Sequence, residues 1–461
     1  MNNVLELKGN RFVQAPKSAS GGGPAMNSKV VVTSQKLKEL TSKLFQIKDF
    51  WAHENRPFNG ILISVHYNKI VAKSNRIAGL FKGDQSNYAI VGAKFNAEKT
   101  KHIITYFLSI DDLDSSMDML YKSDEIISSV FKDDITKAIF DNYVTDKINF
   151  KKYGLTKSLF KQIVADVSYI DDFEVEKATQ QFKESIITLY DTGMDTKQLF
   201  HEIGIDILSS RILDNRTVFL DENQSKVLFE KAPYLVSMAT ENLSDLSPED
   251  FIEDYQQDIV HIPSPSIEPT IGVIDTLFDI RVYFSEWVEY HDMVDKNIPK
   301  NPSDYRHGTA VSSIIVDGPK LNPWLNDGCG RFRVRHFGVA AGAQFSSFTI
   351  IKQIKCIIAE NKDIKVWNIS LGSNKEVNDN FISAEAAVLD QIQAENDIIF
   401  VVAGTNKPNE NIEKIGSPAD SINSLVVNAV TKSGLSTKYT RKGLALSFFA
   451  KPDVSYYGGS E

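Results

Sequence analysis

Three polar residues in the second half of the chain have the types and settings needed for proton-transfer chemistry. Ile271-Gly272-Val273-Ile274-Asp275-Thr276 ends an apolar run in a carboxylate. Thirty-two positions later, His307 opens the helix-like stretch His307-Gly308-Thr309-Ala310-Val311-Ser312-Ser313-Ile314-Ile315. Val401-Val402-Ala403-Gly404-Thr405-Asn406 ends a second apolar run in a side-chain amide. A carboxylate that orients an imidazole equips it as a general base, and an amide N–H can stabilise a developing oxyanion. Taken singly, each residue reads more simply as a cap or a buried polar group. Their joint order is what points to chemistry.

The elements around them agree with that reading. From Thr270 onward, short apolar strands are expected at 271–274, 345–350, 365–371, 398–403 and 425–430, with helices between them. The helix before the fourth carries Phe381, Ala384, Val388 and Ile392 on one face. Near-continuously apolar strands separated by helices imply a parallel sheet covered on both sides. In such sheets ligands bind beyond the carboxyl ends of the strands, which is where Asp275 and Asn406 fall.

In this order the segments resemble the subtilisin-like serine proteases (subtilases, peptidase S8), whose Asp, His, Asn and Ser motifs follow one another along the chain. Trp367-Asn368-Ile369-Ser370-Leu371-Gly372 is similar to the family's substrate-binding strand. Gly338-Val339-Ala340, Ser417-Pro418-Ala419 and Lys451-Pro452-Asp453-Val454 match further landmarks, so the resemblance spans 262–461. It implies an α/β fold: a subtilisin-like parallel sheet with helices on both faces, incomplete at the C-terminus and preceded by α+β N-terminal domains. It further implies that Asp275 orients His307, that His307 is the base, and that Asn406 donates to the oxyanion. Ser370, Leu371 and Gly372 would pair through their backbone with an extended polypeptide substrate. No cofactor or metal ligand is implied, and a structural calcium site is not readable from the sequence.

Two positions depart from the family pattern: Leu277 replaces the usual Gly after the Asp motif, and Ala310 replaces a second His. The nucleophile is the larger departure. The family's Gly-Thr-Ser segment is absent, and Ser436, Ser447, Ser455 and Ser460 lack its neighbours. The expectation is a serine endopeptidase whose Ser lies beyond this chain, so that the 461 residues alone do not hydrolyse peptides. The alternative is a non-catalytic peptide-binding or regulatory protein on a protease scaffold, in a bacterial defence system with an ATPase partner.

The rest of the chain divides by composition. Residues 1–27 include Ser18-Ala19-Ser20-Gly21-Gly22-Gly23-Pro24 and read as a tail, and 28–183 as an α+β domain. Leu37, Leu40, Leu44 and Ile47 mark a first helix. Strand-like runs follow at 61–67, 88–95 and 102–110. Lys73-Ser74-Asn75-Arg76-Ile77 and the chain onward resemble a bacterial subtilase group encoded beside an AAA-type ATPase, which implies such a partner. Residues 184–240 read as a β-α-β-β-α-β, propeptide-like domain with a strand at 207–213, and 241–261 as a linker.

Residues 60–110 carry a local net charge of +5 and 111–134 one of −6. Two solvated faces that partly neutralise each other explain this better than a docking patch. The overall charge of −9 argues against nucleic-acid binding. No signal-peptide pattern or membrane-length apolar run is present, so a cytoplasmic location is expected. Two cysteines, Cys329 in an extra loop and Cys356 in an apolar run expected to be core, make neither a disulfide framework nor a zinc site.

Overall fold

The computed structural model describes residues 24–458 except 55, 73–75, 82–89, 143–147, 179–184, 242–260, 327, 343–345, 408, 410 and 447. Most of the expected tail and linker, together with Lys73-Ser74-Asn75, Ser447 and Ser460, lie outside the described residues. The chain forms two compact units that divide between Ala239 and Thr240.

In the first unit the elements run β1 (Val32–Thr33), α1 (Ser34–His53), β2 (Ile61–Tyr67), β3 (Ile90–Phe95), β4 (His102–Leu108), α2 (Ile110–Val130), β5 (Asp134–Ile135), α3 (Lys137–Asn142), α4 (Lys157–Val167) and β6 (Ile170–Glu174). They continue as β7 (Ser185–Leu189), α5 (Thr196–Glu202), β8 (Thr217–Leu220), α6 (Glu222–Lys231) and β9 (Val236–Glu241). Helix α1 starts where the Thr33 side chain accepts the Lys36 N–H, and it buries Leu37, Leu40, Leu44 and Ile47 at helical spacing. The acidic stretch becomes α2, whose Ser109–Asp112 capping box and first-turn Asp111 and Asp112 suit a helix N-terminus.

Strands β3-β4-β2-β6 form one antiparallel sheet; β8-β7-β9 form another, in which β7 and β8 are antiparallel. Residues 185–236, read from the sequence as a small unit of their own, share one apolar core with residues 26–173. Trp51 packs edge-on to Tyr234 with ring centroids 4.7 Å apart. Three expectations are corrected here. The strand at 207–213 is instead a 3-10 turn at Ser209–Arg211 followed by a single bridge at Ile212, and Leu208 there is exposed. The last strand, expected over 234–239, starts at Val236 after a second such turn, Pro233–Leu235. Met26 and Asn27, read as the end of a tail, are buried.

The second unit contains β10 (Thr270–Thr276), β11 (Val288–Asp292), α7 (Arg306–Leu321), β12 (Arg333–Ala340), α8 (Ser347–Glu360), β13 (Val366–Ile369), α9 (Ala384–Asn396), β14 (Ile399–Ala403) and β15 (Leu425–Val430). A hairpin of β16 (Gly443–Ala445) and β17 (Phe449–Lys451) precedes β18 (Val454–Tyr457). The sheet order is β11-β12-β10-β13-β14-β15-β18, and every pair in it is parallel. This is the α/β architecture expected, with β10 and β13 inside the sheet. Gly272 is required there because a Cβ would lie 2.2 Å from the ring of Trp367 on β13. All four residues of the edge strand β18 are exposed.

The strand expected at 345–350 is corrected: from Ser347 the chain is already helical, and Ile350, Ile351, Ile354, Ile357 and Ile358 line one buried face of α8. The strand beside β10 is instead β12, which ends in Gly338-Val339-Ala340. Cys356 lies on the outer side of α8 and is exposed, against the expectation of a core position; Cys329 is also exposed.

Helix α9 is anchored by buried acids. Asp420 accepts the Ser383 N–H at 2.6 Å and the Ser383 hydroxyl at 2.7 Å, and burial pushes its carboxyl up to about 7 from 3.8. Burial raises Asp390 to about 6. A raised folded-state pKa means that the folded chain keeps a proton the unfolded chain has released. Stability is therefore predicted to fall as pH rises from about 4 to about 7. Asp420→Asn should flatten that slope, measured by urea denaturation across this range.

Candidate active site

Asp275 is the penultimate residue of β10, and its side chain is fully buried. The segment leading into α7 is shaped by Pro302 in the first position of a 3-10 turn and by the Asn301 N–H, which donates to Asp304 Oδ2 at 2.7 Å. Helix α7 then begins at Arg306, so His307 sits in its first turn, with 6% of its surface exposed. His307 Nδ1–H donates to Asp275 Oδ1 at 2.5 Å. Because a carboxylate only accepts, this bond fixes the proton on Nδ1 and leaves Nε2 as the basic nitrogen. Asp275 Oδ1 also accepts the Thr276 N–H at 2.6 Å.

Thr276 ties strand to helix, since its hydroxyl accepts the Gly308 N–H at 2.9 Å. Gly308 permits the approach: a Cβ there would lie 2.6 Å from the Thr276 carbonyl oxygen and 2.7 Å from that of Leu277. Leu277, one of the two departures from the family pattern, is fully buried against Val294 and Ala341, and its N–H donates to the Asp304 carbonyl at 3.0 Å. The residue fills core space beside the site.

The remaining expected residues lie along the same sheet edge. Ser370-Leu371-Gly372 continues past the last rung of β13, the neighbour of β10. Asn406 follows the end of β14, one strand further, and is half-buried. The structure brings Asp275 and His307 into direct contact and sets Ser370–Gly372 and Asn406 at the carboxyl ends of the next two strands. Among the described residues no group of His, Cys, Asp or Glu is arranged to hold a metal ion, and no helix is long and apolar enough to cross a membrane.

Two supporting residues were not picked out from the sequence. Arg441 is fully buried and donates to the carbonyls of Ser373 at 3.0 Å and Asn374 at 2.6 Å, and to the Thr405 hydroxyl at 3.2 Å. Its planar fork thus staples the chain after Gly372 to the turn that carries Asn406. Thr405 holds that turn with φ of 64°, a left-handed conformation costly for a β-branched residue, and its hydroxyl accepts the Gly416 N–H. His336 on β12 is the second. Its ring is fully buried against Thr276 and Ser312, and burial holds its pKa below the usual imidazole range.

The Subtilase family model matches residues 183–461. Among solved structures, the prenylagaramide maturation protease PagA is similar at 20% identity over 38% of this chain and 59% of that one, with a TM-score of 0.30. The nisin leader peptidase NisP from Lactococcus lactis is similar at 16% identity over 41% of this chain and 63% of that one, with a TM-score of 0.29. The matched part of this chain thus spans less than two thirds of either protein.

Proposed function

The chain belongs to the subtilase family, and from that premise we propose that its second unit carries the acid–base half of a serine endopeptidase site. The observation that carries this reading is the 2.5 Å bond from His307 Nδ1 to Asp275 at the carboxyl edge of a parallel sheet. In the proposed reaction, His307 Nε2 takes the proton of a serine hydroxyl as that oxygen attacks the scissile carbonyl. The same proton passes to the leaving amine, leaving an acyl-enzyme that water then cleaves. Asp275 keeps Nδ1 protonated and stabilises the imidazolium, and the Asn406 amide donates to the oxyanion. The backbone of Ser370–Gly372 pairs with an extended polypeptide substrate.

The serine belongs in a Gly-Thr-Ser segment that residues 1–461 do not contain. The second reading is a peptide-binding protein on a protease scaffold. The two readings differ in one experiment. In a form of the polypeptide that includes such a segment, peptide hydrolysis supports the endopeptidase, whereas peptide binding without turnover supports the second reading. In the active form, Asn406→Ala is expected to lower kcat by roughly 10²–10³, a magnitude taken from subtilisin itself. An unchanged kcat would remove Asn406 from the oxyanion role. A cytoplasmic location and an AAA-type ATPase partner complete the proposal, the latter resting on the resemblance around Arg76 alone.

A further inference from the structure

His336 has no part in the proton transfer proposed above, yet it touches both elements that carry the pair. It sits on β12 opposite Val273 of β10. Its Nε2 lies 2.7 Å from the carbonyl oxygen of Thr276, the residue after Asp275. Its Nδ1 lies 2.9 Å from the hydroxyl of Ser312, five residues along α7 from His307. A carbonyl can only accept, so Nε2 carries the hydrogen, Nδ1 is the acceptor, and the Ser312 hydroxyl donates to it.

The ring also closes the space over the first turn of α7, because a Cβ on Gly308 would lie 2.8 Å from His336 Cε1. Phe278 and Tyr290 flank it, with ring centroids 5.6 and 5.7 Å away. Thr276 is therefore gripped from two sides, at its carbonyl by His336 and at its hydroxyl by the Gly308 N–H. One neutral imidazole, with both nitrogens satisfied, spans the end of β10 and the start of α7.

We propose that His336 is a positioning residue that holds Thr276 and the first turn of α7 so that the Asp275–His307 hydrogen bond forms at its short length. This rests on the reading of Asp275 and His307 as the acid–base pair. A packing role alone would need only the volume of the ring, whereas the geometry requires a donor at the Nε2 position and an acceptor at Nδ1. The amide nitrogen of a glutamine reaches about as far as Nε2, while an asparagine reaches only the Nδ1 position. Methionine fills the space with no donor.

The test is low-field proton NMR of the histidine-labelled 461-residue chain, with the Nδ1 proton of His307 assigned by its disappearance in His307→Gln. The signal is expected in the unsubstituted chain, to persist in His336→Gln, and to be lost in His336→Asn and His336→Met variants whose circular dichroism is unchanged. An unchanged signal in a folded Asn or Met variant would overturn the proposal, as would equal loss in Gln. Should Asn and Met fail to fold, Ser312→Ala takes their place. It frees Nδ1 without altering the ring and should broaden the signal, and an unaltered signal there overturns the proposal. Absence of any low-field signal from the unsubstituted chain overturns both this proposal and the acid–base reading beneath it.

Discussion

Replacing Asp275 with Asn is expected to lower kcat of a serine-bearing form by roughly 10⁴, the scale known for this residue in subtilisin and trypsin-type triads. The reason is local. Asp275 Oδ1 accepts from both His307 Nδ1 and the Thr276 N–H, so an amide oxygen could occupy that position. The amide nitrogen would then replace Oδ2, which is buried and has no hydrogen-bond partner among the described residues. Either the variant buries an unpaired NH₂, or the amide flips and points a donor at His307. The flip forces the imidazole into the tautomer with its proton on Nε2, where it cannot accept from serine. Both outcomes also remove the negative charge that stabilises the imidazolium. KM should change little, since Asp275 is fully buried. A fall in kcat/KM that came from KM alone would contradict this role.

Gly308→Ala should be the most damaging small substitution at the site. Alanine gains roughly 1 kcal/mol over glycine in a helix interior by propensity. Here that gain is outweighed, because the new methyl would meet two backbone oxygens at 2.6 and 2.7 Å and the His336 ring at 2.8 Å. None of these is the free end of a flexible side chain. Helix α7 would have to move away from β10, at a cost of about 3 kcal/mol, near the upper end for overpacking a close-packed interior. The same movement lengthens the Asp275–His307 bond. A lowered urea midpoint together with lost activity in a serine-bearing form is the expected result. A variant as stable and as active as the parent would show that the strand and helix are held less tightly than their contacts imply.

The Asp275, His307 and Asn406 segments were legible because each is a local pattern: Asp275 and Asn406 each close an apolar run, and His307 opens a helical one. The parallel sheet followed from the continuity of those runs. Strand β12 was not legible for the opposite reason. Arg331-Phe332-Arg333-Val334-Arg335-His336 alternates charge with apolar residues and does not read as a strand inside a parallel sheet. In the structure Arg335 escapes by pairing with Glu289 and Asp363, while His336 turns inward and is fully buried. Arg441 was hidden in the same way, since Thr440-Arg441-Lys442 looks like a solvated turn until tertiary structure brings three carbonyls to it.

The helix α8 was a misjudged period. A short apolar strand was expected at 345–350, whereas Ile350, Ile351, Ile354, Ile357 and Ile358 recur at helical spacing. Cys356 follows from that error. A residue two positions from Ile354 on a helix faces roughly the other way, so apolar neighbours in sequence did not make it core.

The central claim is that Asp275 and His307 activate a serine supplied by a Gly-Thr-Ser segment. Its most direct measurement is labelling with a serine-directed fluorophosphonate, followed by mass mapping of the modified residue. The 461-residue chain should remain unlabelled, and a form carrying the segment should label stoichiometrically at its serine, with labelling abolished by His307→Ala. Stoichiometric labelling of any serine within residues 1–461, or labelling of the segment that persists without His307, would contradict it.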